Sequence, residues 1–386
     1  MKVAVAHTSD PDLTYALREL TGQLRAGIGD EPAVAALVFA CFDMDHEALL
    51  VGLTEAFPGI QLIGCTTDGE LTNILRFQED SVVVTLFAGE GLEARAGLGR
   101  SISEDPQVAL DAACDDALIE GKTPRLLVTL PEGLSRCGAD ILVEGLNDRV
   151  PAGTPVVGGT AGDQWEFSST NQFFGTEVLS DSLPLLAFYG AVRVSVGVSS
   201  GWAPIGHRGV VTEAEGAVVK SIDGLPALAF YQRYLGPHSE TTPEYPIAVF
   251  VAGSETPFLR APLSGDADTG EILFAGTVPV GASVQISEVI TDDMLDACRR
   301  SVVSAVEGLE GRTPEGALVF SCAARKQLLG TRTASEVEIL TAHIPEGLPV
   351  AGFYTYGEIA PHGGQVAADF HNETFVTVLL ASEDAA

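Results

Sequence analysis

Lysine is scarce. Only Lys2, Lys122, Lys220 and Lys326 stand among 21 basic side chains, against 53 acidic ones, and the formal charge is −32. A chain so short of cations repels phosphate backbones and anionic head groups, which argues against nucleic acid as a partner. The acidic excess suits a salt-rich cytoplasm and plain solubility equally. Long apolar runs are missing too. No stretch approaches the roughly 18 residues of a membrane helix, and His7 and Asp10 cut the apolar start too short for a signal peptide. No membrane insertion is expected. The six cysteines, at 41, 65, 114, 137, 298 and 322, form no C-x-x-C pair and no haem-attachment motif, so they read as reduced thiols. The expected location is the cytoplasm.

Several motifs are also lacking. There is no H-E-x-x-H, and the seven histidines are too dispersed for a metal-spacing argument. Gly121-Lys122-Thr123 has Asp116 where a phosphate-binding loop needs glycine, and no G-x-G-x-x-G opens a helix after a strand. Neither a nucleotide cofactor nor a metal is expected. What the 386 residues do hold is 46% apolar against 19% charged side chains, enough for a folded protein larger than one core, hence two domains or one large α/β unit.

An internal repeat organises the chain. Residues 36–41 read as a buried strand, 45–57 as a helix, then Pro58 leads into a strand ending in GCTTDGE at 64–70, and 82–87 closes the unit. The order returns near the end: 317–322, 333–343, Pro349 with GFYTYGE at 352–358, and 375–380. Both copies carry G-x-x-T-x-G-E. A looser third copy runs through 126–130, 139–149, the turn VVGGTAGD at 156–163 and 185–189, with Asp163 in place of the glutamate. Further helices are expected at 13–27, 106–120 and 292–310, and half-exposed strands over 192–219 and 246–286. The fold class is α/β (α+β): mixed β-sheets flanked by helices, built from repeated strand-helix-strand-turn-strand units. The division falls at a Gly/Pro turn near 220, giving domains 1–219 and 220–386.

Glycine turns at strand ends expose backbone N–H groups, where small ligands bind. A carboxylate there (Glu70, Asp163 or Glu358) takes an ammonium group, carries a proton or caps a helix. Cys322 and Arg325 after one strand, and FHNET at 370–374 before another, form the densest set of functional side chains. Cys322 with His371 can be written as a thiol nucleophile pair, against the commoner reading of a buried structural cysteine. GVSSG at 197–201 matches G-x-S-x-G around Ser199, but WAPIG reads as a turn where a nucleophile elbow needs a helix. A lone axial histidine leaves no spacing to detect, so His371, His362 and His207 stand as haem-ligand candidates.

Taken in order, GCTTDGE, VVGGTAGD, GWAPIG at 201–206, EG at 215–216, IDGLPA at 222–227, FSCAAR at 320–325, GFYTYGE and FHNET resemble the FIST family (F-box and intracellular signal transduction), through both its FIST N and FIST C regions. The resemblance implies a sensory, non-enzymatic protein that binds a small ligand such as an amino acid. With no output module expected at either end, it would signal through a separate protein such as a histidine kinase or a cyclic-di-GMP enzyme. Haem-based nitric oxide sensing is the alternative within the family, and a thiol or serine hydrolase the alternative outside it. The candidate ligand site comprises Glu358, Arg325, His371, Cys322, Tyr356, Asn372, Glu70 and Thr67. Arg325 would fork to a ligand carboxylate, Glu358 would take its ammonium, and Phe353, Tyr354 and Tyr356 would form aromatic walls.

Overall fold

A computed structural model describes residues 1–135, 137–236, 241–251, 257–362 and 365–383. Part of the strand region expected over 246–286, and the end of the acidic tail, lie outside them. The described chain consists of three copies of one module. The first runs β1 (Lys2–Thr8), α1 (Leu13–Ile28), β2 (Ala33–Ala40), α2 (His46–Ala56), β3 (Gln61–Thr66), a hairpin β4 (Glu70–Thr72) and β5 (Arg76–Gln78), and β6 (Val82–Ala88). The second repeats this order as β7 (Glu93–Arg100), α3 (Pro106–Ala117), β8 (Leu126–Thr129), α4 (Ala139–Arg149), β9 (Val156–Gly159), hairpin β10 (Gln172–Phe174) and β11 (Glu177–Leu179), and β12 (Ser182–Tyr189). The helices start where the sequence can cap them: the carboxylates of Asp12, Asp45 and Asp105 accept from the first free N–H groups of α1, α2 and α3.

The third module opens with β13 (Val192–Ser199) and is then interrupted. The insert holds β14 (Ala203–Pro204), β15 (Gly209–Glu215), β16 (Val218–Ile222), β17 (Leu225–Pro226), α5 (Ala227–Leu235), β18 (Ile247–Phe250), β19 (Phe258–Arg260), β20 (Pro262–Gly265), β21 (Ile272–Phe274) and β22 (Ser283–Glu288). The module resumes with α6 (Thr291–Gly308), β23 (Gly316–Cys322), α7 (Ala323–Leu329), α8 (Ala334–His343), β24 (Val350–Thr355), hairpin β25 (Glu358–Pro361) and β26 (Ala368–His371), and β27 (Phe375–Ser382).

Each module forms a sheet in the same strand order: outer strand, last strand, then a central parallel pair. The fifth and sixth strands are borrowed. The hairpin β10–β11 of the second module pairs with β3 of the first, β4–β5 of the first pairs with β24 of the third, and β25–β26 of the third pairs with β9 of the second. The three exchanges close a ring. The division expected near 220 falls inside β16, and two of the three six-stranded sheets contain strands from both sides of it. The looser third copy proves to be a complete module.

Packing follows from the apolar spacing. Leu20, Leu24, Leu50 and Leu53 of α1 and α2 cover one face of the first sheet, while Phe39, Phe87, Phe188, Phe320 and Phe353 from all three sheets share one inner core. Phe39 and Phe353 lie 4.6 Å apart by ring centroid and Phe87 and Phe188 4.8 Å apart. The insert has its own core, around Val211, Phe230, Tyr231 and Ile286.

Candidate functional site

The modules place the same backbone geometry at the C-terminal end of each parallel strand pair. Cys41, Glu132 and Cys322, at or just past the end of the first central strand, donate their N–H to the carbonyls of Ser81, Ser182 and Thr374, at or just before the start of the last. Glu70, Gln172 and Glu358 begin the exchanged hairpins, and each accepts a hydrogen bond from the hydroxyl of Ser81, Ser182 or Thr374 respectively. Asp80, Asp181 and Glu373 stand one residue earlier, all with left-handed φ (52°, 49° and 65°). Asp163, expected as the acid of the second module, is therefore replaced in that role by Gln172. Its carboxylate instead accepts from the N–H groups of Phe167, Ser168 and Ser169 and from Tyr356 Oη, holding an inserted loop. In that module the acid has moved across the site to Glu132, which accepts from Gln172 Nε2 at 3.3 Å.

The first site is a closed hydrogen-bond chain. Thr67 Oγ1 and Ser81 Oγ both donate to Glu70, His7 Nε2 lies 2.9 Å from Ser81 Oγ, and His7 Nδ1 lies 2.7 Å from Thr72 Oγ1. One proton assignment satisfies every member: Thr72 donates to Nδ1, Nε2–H to Ser81, and Ser81 to Glu70. Burial pushes the Glu70 carboxyl up to about 7 and the His7 imidazole down to about 4. His7, Ser81 and Thr72 carried no motif in the sequence. Glu373 and Thr374 stood in FHNET, and the matching acid-hydroxyl pairs Asp80-Ser81 and Asp181-Ser182 were a signal that could have located the hydroxyls of the other two sites.

The third site is less complete. Glu358 Oε2 accepts from Thr374 N (3.0 Å) and Oγ1 (2.7 Å), but Glu358 Oε1, both oxygens of Glu373 and Asn372 Nδ2 are buried with no hydrogen-bond partner among the described residues. Burial, the largest cause, raises Glu358 to about 8; burial and then Glu358 raise Glu373 well above the carboxylate range. The insert covers this site: Ala261 N donates to Asn372 Oδ1 at 3.4 Å and Arg260 Nη1 to the Phe370 carbonyl at 3.0 Å.

The expected residues divide accordingly. Glu358, Cys322 and Asn372 come together in the third site, and Glu70 with Thr67 in the first. Arg325 does not offer a fork. It is fully buried, paired with Glu336 at 2.7 and 3.0 Å, and donates to the carbonyls of Ser200 and Met294. Phe353 lies in the inner core and Tyr354 donates to Glu336, so neither walls a pocket. Tyr356 instead packs with Trp165 and Phe167 of the inserted loop, where Gln164, Trp165 and Phe167 all have positive φ. The Cys322 thiol is pushed well up by burial and then by Glu358 and Glu373, the reverse of what a nucleophile needs. His371 Nε2 lies 2.9 Å from the Ala360 carbonyl, so pairing with Cys322 or ligating a haem iron through that nitrogen would displace the bond. His207 is exposed on the insert, and the His362 ring lies 5.5 Å from that of His371. Ser199 is followed by β14 and not by a helix.

Among the described residues no group of three His, Cys, Asp or Glu side chains could hold a metal ion, and no helix is long and apolar enough to cross a membrane. Surface clefts are present among the described residues. One of about 520 Å³ lies between the ends of α3 and α4, lined by Asp111, Cys114, Lys122 and Arg149, and one of about 300 Å³ lies in the second module.

Fold and site define a class: an internally triplicated α/β protein with buried acids where exchanged hairpins meet strand ends. The chain belongs to the FIST family, with the FIST N domain matching residues 34–225 and the FIST C domain residues 227–361. FIST domains are associated with the sensing of small ligands in signal transduction. An uncharacterized protein of Mycobacterium tuberculosis is 29% identical over 390 residues, spanning 95% of this chain and 97% of its own. One of Mycobacterium bovis is 28% identical over 387 residues, spanning 95% and 96%. The structure of T. maritima PurL complexed with AMPPCP aligns over 99% of this chain and 72% of its own at 11% identity and a TM-score of 0.22, too low to carry an argument.

Proposed function

We propose that the protein is a sensor that binds an ammonium-bearing metabolite, such as an amino acid, in the third module and passes the signal to a separate protein such as a histidine kinase or a cyclic-di-GMP enzyme. The observation that carries this reading is the set of unmatched groups at Glu358, Glu373 and Asn372. Buried polar atoms are almost always hydrogen-bonded, so three carboxyl oxygens and one amide nitrogen without partners among the described residues support a ligand that supplies them. An ammonium donates three hydrogen bonds and suits the carboxyl oxygens; Asn372 Nδ2 is the donor left for a ligand carboxylate, the part that Arg325 does not play. Because the insert bonds to Asn372 and Phe370, occupation of the site bears directly on how the insert sits.

Thermal-shift measurements on the purified chain against the amino acids test this. Saturable stabilisation by one or a few of them, lost in Glu358→Ala, is the expected result. Silence across the panel, or equal responses from wild type and variant, overturns it.

A further inference from the structure

The third site is shut. Glu358 and Glu373 are fully buried, Asn372 and Cys322 nearly so, and the Cys322 thiol bonds to Glu358. A small molecule can enter or leave only if part of the cover moves. β23 and β27 lie inside their sheet, paired on both sides, and the hairpin β25–β26 is bonded into the second sheet. Lifting any of these breaks a strand ladder. The insert belongs to none of the three exchanged sheets and has a core of its own, so it can move as a body.

The insert is held at two ends, which differ in how well they are bonded. At the linkers, Arg325 Nη1 donates to the Ser200 carbonyl at 2.7 Å and Nη2 to that of Met294 at 3.0 Å. One guanidinium thus grips the chain where it leaves β13 for the insert and where it returns in α6. Glu336 balances its charge and accepts in turn from Ser321 Oγ and Tyr354 Oη. The linkers touch: at Gly201, with φ 101°, an added Cβ would stand 2.8 Å from the Asp293 carbonyl oxygen. Trp202, Met294, Leu295 and Leu329 pack around the crossing.

At the far edge the bonding is incomplete. Arg260 Nη1 reaches the Phe370 carbonyl, Ala261 N reaches Asn372 Oδ1, and Thr277 N donates to Asp140 Oδ2 at 3.0 Å. The Arg260 guanidinium lies over the rings of Phe258 and Phe370, 5% exposed, and donates to carbonyl oxygens with no ion-pair partner among the described residues. Asp140 Oδ1 and Asn372 Nδ2, at the same contact, are buried without a hydrogen-bond partner. Closing this edge strips water from one charge and two polar atoms that the described residues do not re-pair, and opening restores it. The far edge is therefore the end that parts at least cost, and the linkers are the end that holds.

We propose that the insert is a gate over the third site: it turns on the paired linkers gripped by Arg325, and its Arg260–Ala261 edge lifts from Phe370 and Asn372 to admit the ligand. Its role in loading rests on the reading of the third site as the binding site, whereas the opening itself needs no ligand. A ligand that pairs with Asn372 Nδ2 removes one of the orphaned groups and so favours closure.

Cys322 is a built-in reporter of the opening. Labelling of the native chain with N-ethylmaleimide, read at each cysteine by mass spectrometry, compares it with Cys65 and Cys298, which are also buried but lie in the cores of the ring. The expected result is that Cys322 reacts about tenfold or more faster than either. Asp140→Ala, which takes the acceptor from Thr277 N, should speed Cys322 a further threefold or so and leave the other two unchanged. The gate is overturned if wild-type Cys322 reacts no faster than Cys65 and Cys298, the mark of global unfolding, or if a folded Asp140→Ala leaves its rate unchanged or speeds all three alike. Should that variant not fold, the wild-type comparison decides alone. Stabilisation by an amino acid through Glu358, with Cys322 no faster than Cys298, sinks the gate and leaves the sensor reading; fast labelling of Cys322 with silence across the amino acids does the reverse.

Discussion

Glu358, held near 8, and Glu70 and Asp68, both near 7, are carboxyls that keep a proton in the folded chain at a pH where the unfolded chain has lost it. The histidines act in the opposite sense and lower down. His7 and His371, lowered by burial to about 4 and about 3, contribute stability above the ordinary histidine value and lose it on acidification. Above about pH 7 the carboxyls lead, and the cysteine thiols, raised by burial, add in the same sense as the pH nears their ordinary value. The folded state then binds more protons than the unfolded, so stability falls with rising pH until the folded carboxyls have ionised. Urea titrations at about pH 7 and pH 8.5 should show wild type losing roughly 1 kcal/mol or more across that interval, with a shallower loss in Glu358→Gln. Identical slopes would show that Glu358 is not held protonated. At this scale the sequence was partly legible. Glu70, Glu358 and Cys322 lay in visible motifs, but Arg325 looked free because nothing local announces Glu336, eleven residues on, as its partner.

The repeated glycine at the start of each motif has a cause in the sheet. Gly64, Gly158 and Gly352 sit where an added Cβ would run into the carbonyl oxygens of Val38, Thr129 and Val319 on the neighbouring parallel strand. Gly352→Ala should therefore lower unfolding stability by roughly 3 kcal/mol, more than an alanine at exposed Gly311. A midpoint within error of wild type would show that the strands can part without cost. Elements themselves were readable: residues 139–149 form α4 with the expected bounds, and short buried apolar runs marked the central strands. The hairpins were not. Three-residue strands such as β4 and β10 have no period of their own, and their pairing lies with a distant module. The loop over 164–171 also displaced the register of the second copy, which is why Asp163 seemed to stand where Gln172 does.

The exchange of hairpins makes the three modules interdependent. A fragment of residues 1–199 would leave β9 without β25 and β4–β5 without β24, exposing strand edges over an apolar core. Such a fragment should show no cooperative thermal transition by circular dichroism; a sharp transition near that of the full chain would contradict the interdependence. The duplication was visible in the sequence, whereas the crossing of its parts was not, because a repeat reports what is copied and not where each copy docks. The ring has a mechanical side as well. Glu358 both accepts from Thr374 in its own module and pairs with Gly159 in the second, so a tug on that one side chain is felt in a neighbouring sheet. A binding event in one third of the molecule is thereby levered, through a single rigid ribbon, into the next.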